Sequence, residues 1–452
     1  MRIAILSLVI MIIALPAWAG EVSEPAEVAL TIYNGDLALI REGRDFTMSG
    51  MRTERFELEG VSGQLNPSTV HLQFLDGFDF ELLEQNYDYD LVSRDKLLEK
   101  FIGKQIVVID DELGTELPAV LLSTSGGRVV ETLSGEILLD PPGRIELPAG
   151  AADELLLKPT LSWLMWPSGT GTHRGEISYL SGGLDWHADY VVMLNADDSA
   201  GDIEGWVTIS NYSGTTYKDA ELKLVAGDVH RAPKEQPLPA PQSAGGSRRG
   251  SAEGFVEEEF FEYHLYDLQR PTTIRNNQLK QIGLLTAVDV PFKKIIEFDG
   301  INGGDVKVKV EFVNSEEEGM GMPLPKGTVR VFKQDSAGDA QFVGEDRIEH
   351  TPRDEEVRLY LGNAFDIVGE TKRTDYKDLY NGYRSTYEVT LKNHKETDDM
   401  VVTVPVTVWG DWRMTDASMQ FEKKDAFSVE FSVPVAVDEE VTFTFSYEVT
   451  WR

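Results

Sequence analysis

From Val28 onward apolar and polar residues alternate with a period of two, interrupted at short intervals by Gly, Asn or Pro: VALTIYN, LALIREG, ERFELEG and TVHLQFL follow one another. Successive strand side chains point to opposite faces, so this pattern predicts antiparallel strands with one face on a core. A second group, LSWLMW, GEISYL, LDWHADYVVMLN, DIEGWVTISN and DAELKLVAGDV, is longer and richer in aromatics. A third alternates almost without a break from VDVPFKKIIEFDG through DVKVKVEFVN, TVRVFKQD, VRLYLGN, STYEVTLKN, MVVTVPVTVW and FSVEFSVPV to VTFTFSYEVTW. One segment departs from period two. SRDKLLEKFIGK, residues 93–104, predicts a helix: Ser93 caps it, Asp95 lies in its first turn, Leu97, Leu98, Phe101 and Ile102 form an apolar stripe, and Gly103 ends it. Five short strands follow, QIVVID, ELPAVLLST, GRVVETL, GEILLD and GRIELP, each bounded by Gly or Pro.

These elements predict a mainly β protein of multi-domain antiparallel β-sandwiches, with a small inserted β-barrel of SH3-like or Sm-like type carrying one short helix. The expected division is a signal peptide at 1–19, an N-terminal β-domain at 20–91, the helix and small barrel at 92–150, a central strand-rich region at 151–231, a flexible linker or loop at 232–259, and a C-terminal β-sandwich region at 260–452. The linker reading rests on APKEQPLPAPQSAGGSRRGSAEGFVEEE, which carries Pro, Gly, Ser and acids and almost no apolar pattern. Its basic pair, Arg248 and Arg249, reads as solvated. A strand closing on Asn before a polar turn recurs at ISNYSG, VNSEEEG and LKNHKE, a hint of repeated modules without a fixed period.

Composition changes this picture in three ways. MRIAILSLVIMIIALPAWAG has one basic residue, an apolar run and the small-residue pattern Ala17-Trp18-Ala19, which predicts export and cleavage after Ala19 into the periplasm or beyond. No later segment is apolar for long enough to span a bilayer. The chain has no cysteine, so disulfides, thiolate metal sites and a cysteine nucleophile are excluded. Against 77 acidic residues stand 42 basic ones, a net charge of −35 that repels phosphate backbones and disfavours nucleic acid as a partner.

The strongest-looking chemistry is GEDRIEHTPRDE, 344–355, where acids surround a lone histidine. On a helix Asp346 and His350 would lie roughly 6 Å apart on one face; on a strand the same spacing is about 13 Å, too far for one metal ion. Gly344 and Pro352 argue for strand and turn. Asp346, Ile348 and His350 then share a half-buried face, and Glu345, Arg347 and Glu349 a solvated one. The structural reading is the one expected, so no catalytic residue is assigned; Asp346 and His350 are the positions a catalytic reading would use, and no cofactor-binding residue is assigned. In LDWHADYVVML the same alternation sets Asp185, His187 and Asp189 against core-filling Trp186 and Tyr190. GTGTHRG, 169–175, reads as a hairpin loop, because no strand-then-helix context surrounds its glycines. NADDSAGD, 195–202, has alternating oxygens, but Ala200 and Trp206 exclude an EF-hand; calcium between loops is the one cation reading left open, and no cofactor is expected. EYHLYDL, 262–268, with His264 among tyrosines, reads as a strand re-entering the fold.

Six stretches, GLDWHADYVVML, GWVTISNYSGTTYKDAELKLVAGDV, EYHLYDLQRPTTI, GMPLPKGTVRVFKQD, FVGEDRIEHTPRDE and GNAFDIVGETKRTDY, occur in this order. Together they resemble the bacterial family called domain of unknown function 4139, related to the mucoidy-inhibitor-like proteins, over roughly residues 25–452. The resemblance implies an exported, largely β-structured protein and carries over no catalytic residue. The expected function is therefore a non-catalytic envelope protein that binds a partner protein, a surface polymer or another copy of itself through loops or sheet edges. The alternatives are a metal-dependent hydrolase of envelope glycans or peptides centred on Asp346 and His350, and a calcium-stabilised adhesion protein.

Overall fold

A computed structural model describes residues 20–50, 53–89, 93–110, 114–151, 157–227, 229, 255–260 and 263–451. The segment read as a signal peptide, and Arg248 and Arg249, lie outside the described residues. Mainly β structure is what the chain forms: 31 strands in six sheets, with a single α-helix among the described residues.

An eight-stranded sheet organises the first half. Its strands lie in the order Phe255–Phe260, Tyr263–Ile274, Tyr217–Ala226, Glu27–Tyr33, Leu37–Met48, Gly171–Ser181, His71–Phe74, with Glu21–Val22 beside the far end of Leu37–Met48. Across it packs a three-stranded sheet, Glu54–Glu59, Thr160–Pro167 and Phe80–Asp88. Phe46 makes the seam, with ring centroids 5.6 Å from Phe56 and 6.2 Å from Trp163. The strands of the region read as central and strand-rich, 151–231, are shared among several sheets. Thr160–Pro167 and Gly171–Ser181 complete the N-terminal sheets, and Tyr217–Ala226 pairs in parallel with Glu27–Tyr33. The strand Phe255–Phe260 also begins inside the segment read as linker, while 230–254 lie outside the described residues.

The insert leaves and returns through neighbouring strands, because Phe80–Asp88 and Thr160–Pro167 pair antiparallel. A segment hung between two hairpin partners disturbs neither register, which is why an inserted domain is tolerated there. Its helix, Arg94–Lys100, is capped by Ser93, whose hydroxyl accepts from the Lys96 N–H at 3.2 Å. Leu98 and Phe101 bury with Ile106, Val108, Ala119, Leu121 and Val130, whereas Ile102, beyond the helix end, is exposed. The five predicted strands are present, but the expected barrel is not closed. The order is Ile137–Leu139, Val129–Thr132, Thr115–Ser123, Gln105–Asp110, Arg144–Glu146, and the two three-residue outer strands do not pair with each other. Such short ends are too few residues to bend the sheet round on itself.

A mixed central sheet follows, in the order Gln278–Pro291, Ala200–Asn211, Leu184–Leu194, Gly327–Gln334, Ala340–Ile348, with the third and fourth strands parallel. It shares the large core with the eight-stranded sheet, Trp186 meeting Tyr266 edge-on at 6.3 Å. The C-terminal sandwich sets a six-stranded sheet against a four-stranded one, Ile367–Leu379, Gly382–Asn393, Glu440–Thr450 and Asp411–Ala417, and Phe431 touches Phe443 and Phe445 across the gap at 5.0 and 5.6 Å.

The recurrent strand-closing asparagines prove to be one device used three times. Asn211, Asn314 and Asn393 are 0, 0 and 1% exposed. Each amide gives both hydrogens to carbonyls, one in its own loop and one at or just past the end of a distant strand. Asn211 donates to Thr215 and Ile274, Asn314 to Met322 and Pro352, Asn393 to Asp398 and Val435. Each amide oxygen accepts a backbone N–H, from Ser213, Gly321 and Lys395. A buried neutral group with all its bonds made fixes a corner without the cost of a buried charge.

Asn393→Ala leaves two carbonyls and one N–H unsatisfied and should lower urea-unfolding stability by about 3 kcal/mol. Asn393→Asp should be worse at neutral pH than at pH 3, since only a protonated acid can donate to a carbonyl. Equal stability of the Asp variant at both pH values would contradict this assignment.

Candidate functional site

The pair singled out in GEDRIEHTPRDE falls on the edge strand Ala340–Ile348 and the residues just after it. Alternation holds: Ile348 is buried, Asp346 and His350 are half-buried, and Glu345, Arg347 and Glu349 are exposed. Asp346 accepts the Tyr360 N–H at 2.7 Å and its own neighbour's, Arg347 N–H, at 2.8 Å. His350 Nδ1 accepts the Lys326 N–H at 3.2 Å. Asp346 thus ties the central sheet's edge to the strand Glu356–Asn363, and His350 ties a strand end to the loop before Gly327–Gln334. The structure does not bring the two side chains onto a common ligand. Among the described residues no group of three or more His, Asp and Glu side chains converges as a metal site requires.

Trp186 and Tyr190 are buried, and Asp185, His187 and Asp189 take the opposite face of Leu184–Leu194. Asp185 accepts the Gly35 N–H at 3.0 Å and so holds the Glu27–Tyr33 to Leu37–Met48 turn. Asp189 is the middle of a polar row that crosses all five strands. Gln281 donates to Thr208 at 3.2 Å and Thr208 to Asp189 at 2.9 Å; His187 Nε2 lies 3.2 Å from the same carboxylate. Arg330 reaches Asp189 at 3.0 Å and Glu345 at 3.3 Å. The row is a saturated cross-strand ladder on a solvent face.

GTGTHRG is not a hairpin loop: Gly169 and Thr170 lie between Thr160–Pro167 and Gly171–Ser181, a strand of a different sheet, and the other five residues open that second strand. Gly175 is needed where a Cβ would come 2.7 Å from the Phe46 ring. His173 stacks on Phe78 at 3.7 Å and bonds Asp76 at 2.7 Å; that bond, with the Phe78 N–H, holds the Asp76 carboxyl below its usual range. In NADDSAGD, Asn195 and Asp197 are engaged by Ser199, and Asp198 by two lysines. His264 lies in Tyr263–Ile274 between two paired neighbours, so that stretch is not a sheet edge.

Two features lay outside the sequence candidates. Glu42 and Arg44, both 3% exposed, occupy the inward phase of LALIREGRDFTM between Ile40 and Phe46. Arg44 donates through Nε and Nη2 to one Glu42 oxygen at 3.0 and 2.7 Å, and the Tyr179 hydroxyl donates to the other at 2.9 Å. Burial, then the Glu42 charge, push the Tyr179 phenol well above its ordinary pKa, so it stays a donor. A charged pair in a phase that is otherwise apolar was the available sequence signal.

The second feature is aromatic. The inner face of the four-stranded sheet runs Phe443, Phe445, Tyr447, Val449, all buried, and then Trp451 at 59% exposure. Opposite, the last paired residues of the six-stranded sheet at this end are Thr407 and Ser428, followed by one more backbone bond from the Val408 N–H to Phe427. The uncovered end carries Tyr376 stacked on Tyr383 at 5.6 Å, Tyr383 at 6.1 Å from Trp451, and Trp409 tilted on Phe427 at 5.1 Å. Trp409 is 74% exposed and Tyr380 at the adjoining turn wholly so. Two groups of exposed aromatics at one end of a sandwich, Tyr376–Tyr383–Trp451 and Trp409–Phe427, make a candidate contact surface.

No protein-family model and no curated protein matches the chain. No helix among the described residues is long and apolar enough to cross a membrane.

Arg44→Met alone leaves a buried carboxylate unpaired and should cost about 3–5 kcal/mol in chemical unfolding, whereas Glu42→Leu with Arg44→Met should recover most of that loss. A double variant no more stable than the single one would show that the pair does more than satisfy itself.

Proposed function

We propose that the chain is an exported, non-catalytic interaction protein of the bacterial cell envelope, periplasmic or secreted after removal of residues 1–19, and that it engages a surface polysaccharide through the open aromatic end of its C-terminal sandwich. The observation that carries this reading is the exposure of Trp409, Trp451, Tyr376 and Phe427 at one uncovered sandwich end, 74, 59, 46 and 42%. Aromatic faces are electron-rich, and the C–H faces of sugar rings are their natural partners. Two-torsion side chains lose little freedom on binding, which suits them as anchors. Arg373 lies over the Tyr376 ring at 5.0 Å and adds donors at the rim. The reading invokes no metal or cofactor.

Membership of the domain of unknown function 4139 family is part of the same proposal. Its support is the presence and order of the six resembling stretches in the sequence. The hydrolase alternative gains no observation, since Asp346 and His350 are bound to backbone N–H groups.

Retention of the mature chain on insoluble envelope polysaccharide should fall at least tenfold, about 1.4 kcal/mol, in the Trp409→Ala, Trp451→Ala double variant, with thermal unfolding unchanged. Equal retention of wild type and variant would remove the aromatic end as the contact region. No retention of either would remove the polysaccharide.

A further inference from the structure

A separate cleft of about 230 Å³ opens where the central sheet meets the six-stranded sheet. Its apolar walls come from both: Leu194 and Val343 from the former, Val308, Val310 and Leu361 from the latter. At its mouth stands Asp198, held at a positive φ of 63° at the tip of the turn 195–199, its side chain only 12% exposed. Two ammonium groups share this one carboxylate. Lys294, on the strand Lys293–Glu297, donates to Oδ2 at 2.7 Å, and Lys333, on Gly327–Gln334, donates to Oδ1. Burial acts to raise the Asp198 pKa, but the two lysines outweigh it and the carboxyl sits below its ordinary range, so it is an anion at neutral pH.

The charge count at the mouth is two cations against one anion, in a chain whose overall net charge is −35. Nearby Lys309 shows the ordinary arrangement, one lysine to one carboxylate, Glu297, at 2.7 Å. Asp198 occupies one N–H of each ammonium and leaves two on each, since an ammonium has three donors. Lys294 and Lys333 are 36 and 30% exposed, within reach of a ligand entering from solvent. Behind them the walls are aliphatic. The site therefore asks for one more negative charge joined to a compact apolar body.

We propose that this cleft binds a small organic carboxylate with an apolar body of about five or six carbons; a dry cavity of roughly 150 Å³ already accepts benzene. The carboxylate lies between the ammonium groups of Lys294 and Lys333, and the apolar body rests on Val310, Leu194 and Leu361. Because the walls belong to two sheets, occupancy also ties those sheets together. The site is independent of the aromatic end and does not rest on the polysaccharide reading.

The experiment is titration calorimetry of the mature chain with hexanoate and benzoate, beside acetate, which lacks the body, and hexanol, which lacks the charge. Saturable binding of hexanoate or benzoate, at least tenfold tighter than either control and accompanied by a higher thermal unfolding midpoint, is the expected result. Lys333→Gln should weaken it at least tenfold. Val343→Glu, at a position 39% exposed, sets a carboxylate beside the cleft and should do the same while the fold is kept. Binding of hexanoate no better than acetate, or binding unchanged in both variants, would overturn the proposal and leave the two lysines as an ion bridge between sheets.

Discussion

Three buried asparagine amides fix how this chain turns its corners. A strand leaving a sandwich must expose its last carbonyls and N–H groups to the core edge, where water does not reach them. Asn211, Asn314 and Asn393 fill that need with two donors and an acceptor each, and every one of these is used. Aspartate lacks the donors. At Asn211 the device extends further. Its oxygen also takes the Ser213 hydroxyl, Tyr217 donates to Ser213, and the chain then enters the strand that runs parallel to Glu27–Tyr33. The closure of the eight-stranded sheet, across a long stretch of chain, begins at that corner.

With no cysteine to staple it, the protein relies on cores of aromatic and β-branched residues and on three buried asparagine amides whose hydrogen bonds are all made. The Glu42–Arg44–Tyr179 cluster follows the same rule inside the largest core. The insert asks little of the host, since it hangs between paired strands and carries its own small core around Leu98, Phe101 and Val108. Where sheets meet at an angle, single acids bridge them: Asp346 reaches the Tyr360 N–H, and Asp198 gathers lysines from both sides.

Much of this architecture could be read from period two alone. The helix with its Ser93 cap, the five strands of the insert, the phase of Asp346, Ile348 and His350, and the burial of Trp186 and Tyr190 all follow from side-chain alternation and capping. Pairing between distant strands is not legible, because alternation fixes a strand's faces and not its neighbours; hence nothing in the sequence shows that Thr160–Pro167 and Gly171–Ser181 pair with N-terminal strands. Closure of the small sheet was misread for a related reason, since barrel formation depends on strand length and tilt that composition does not carry. The aromatic end was hidden most completely. Trp451 continues the phase of Phe443, Phe445, Tyr447 and Val449, and only the early end of the facing sheet turns the last of them from core into surface.

That uncovered end is the centre of the functional account, and amide hydrogen exchange of the mature chain with and without soluble fragments of envelope polysaccharide tests it most directly. The account predicts added protection in residues 376–384, 408–412, 425–428 and 449–451, the segments that carry the exposed rings. Protection confined to other sheets, with these segments exchanging as in the free chain, would contradict it.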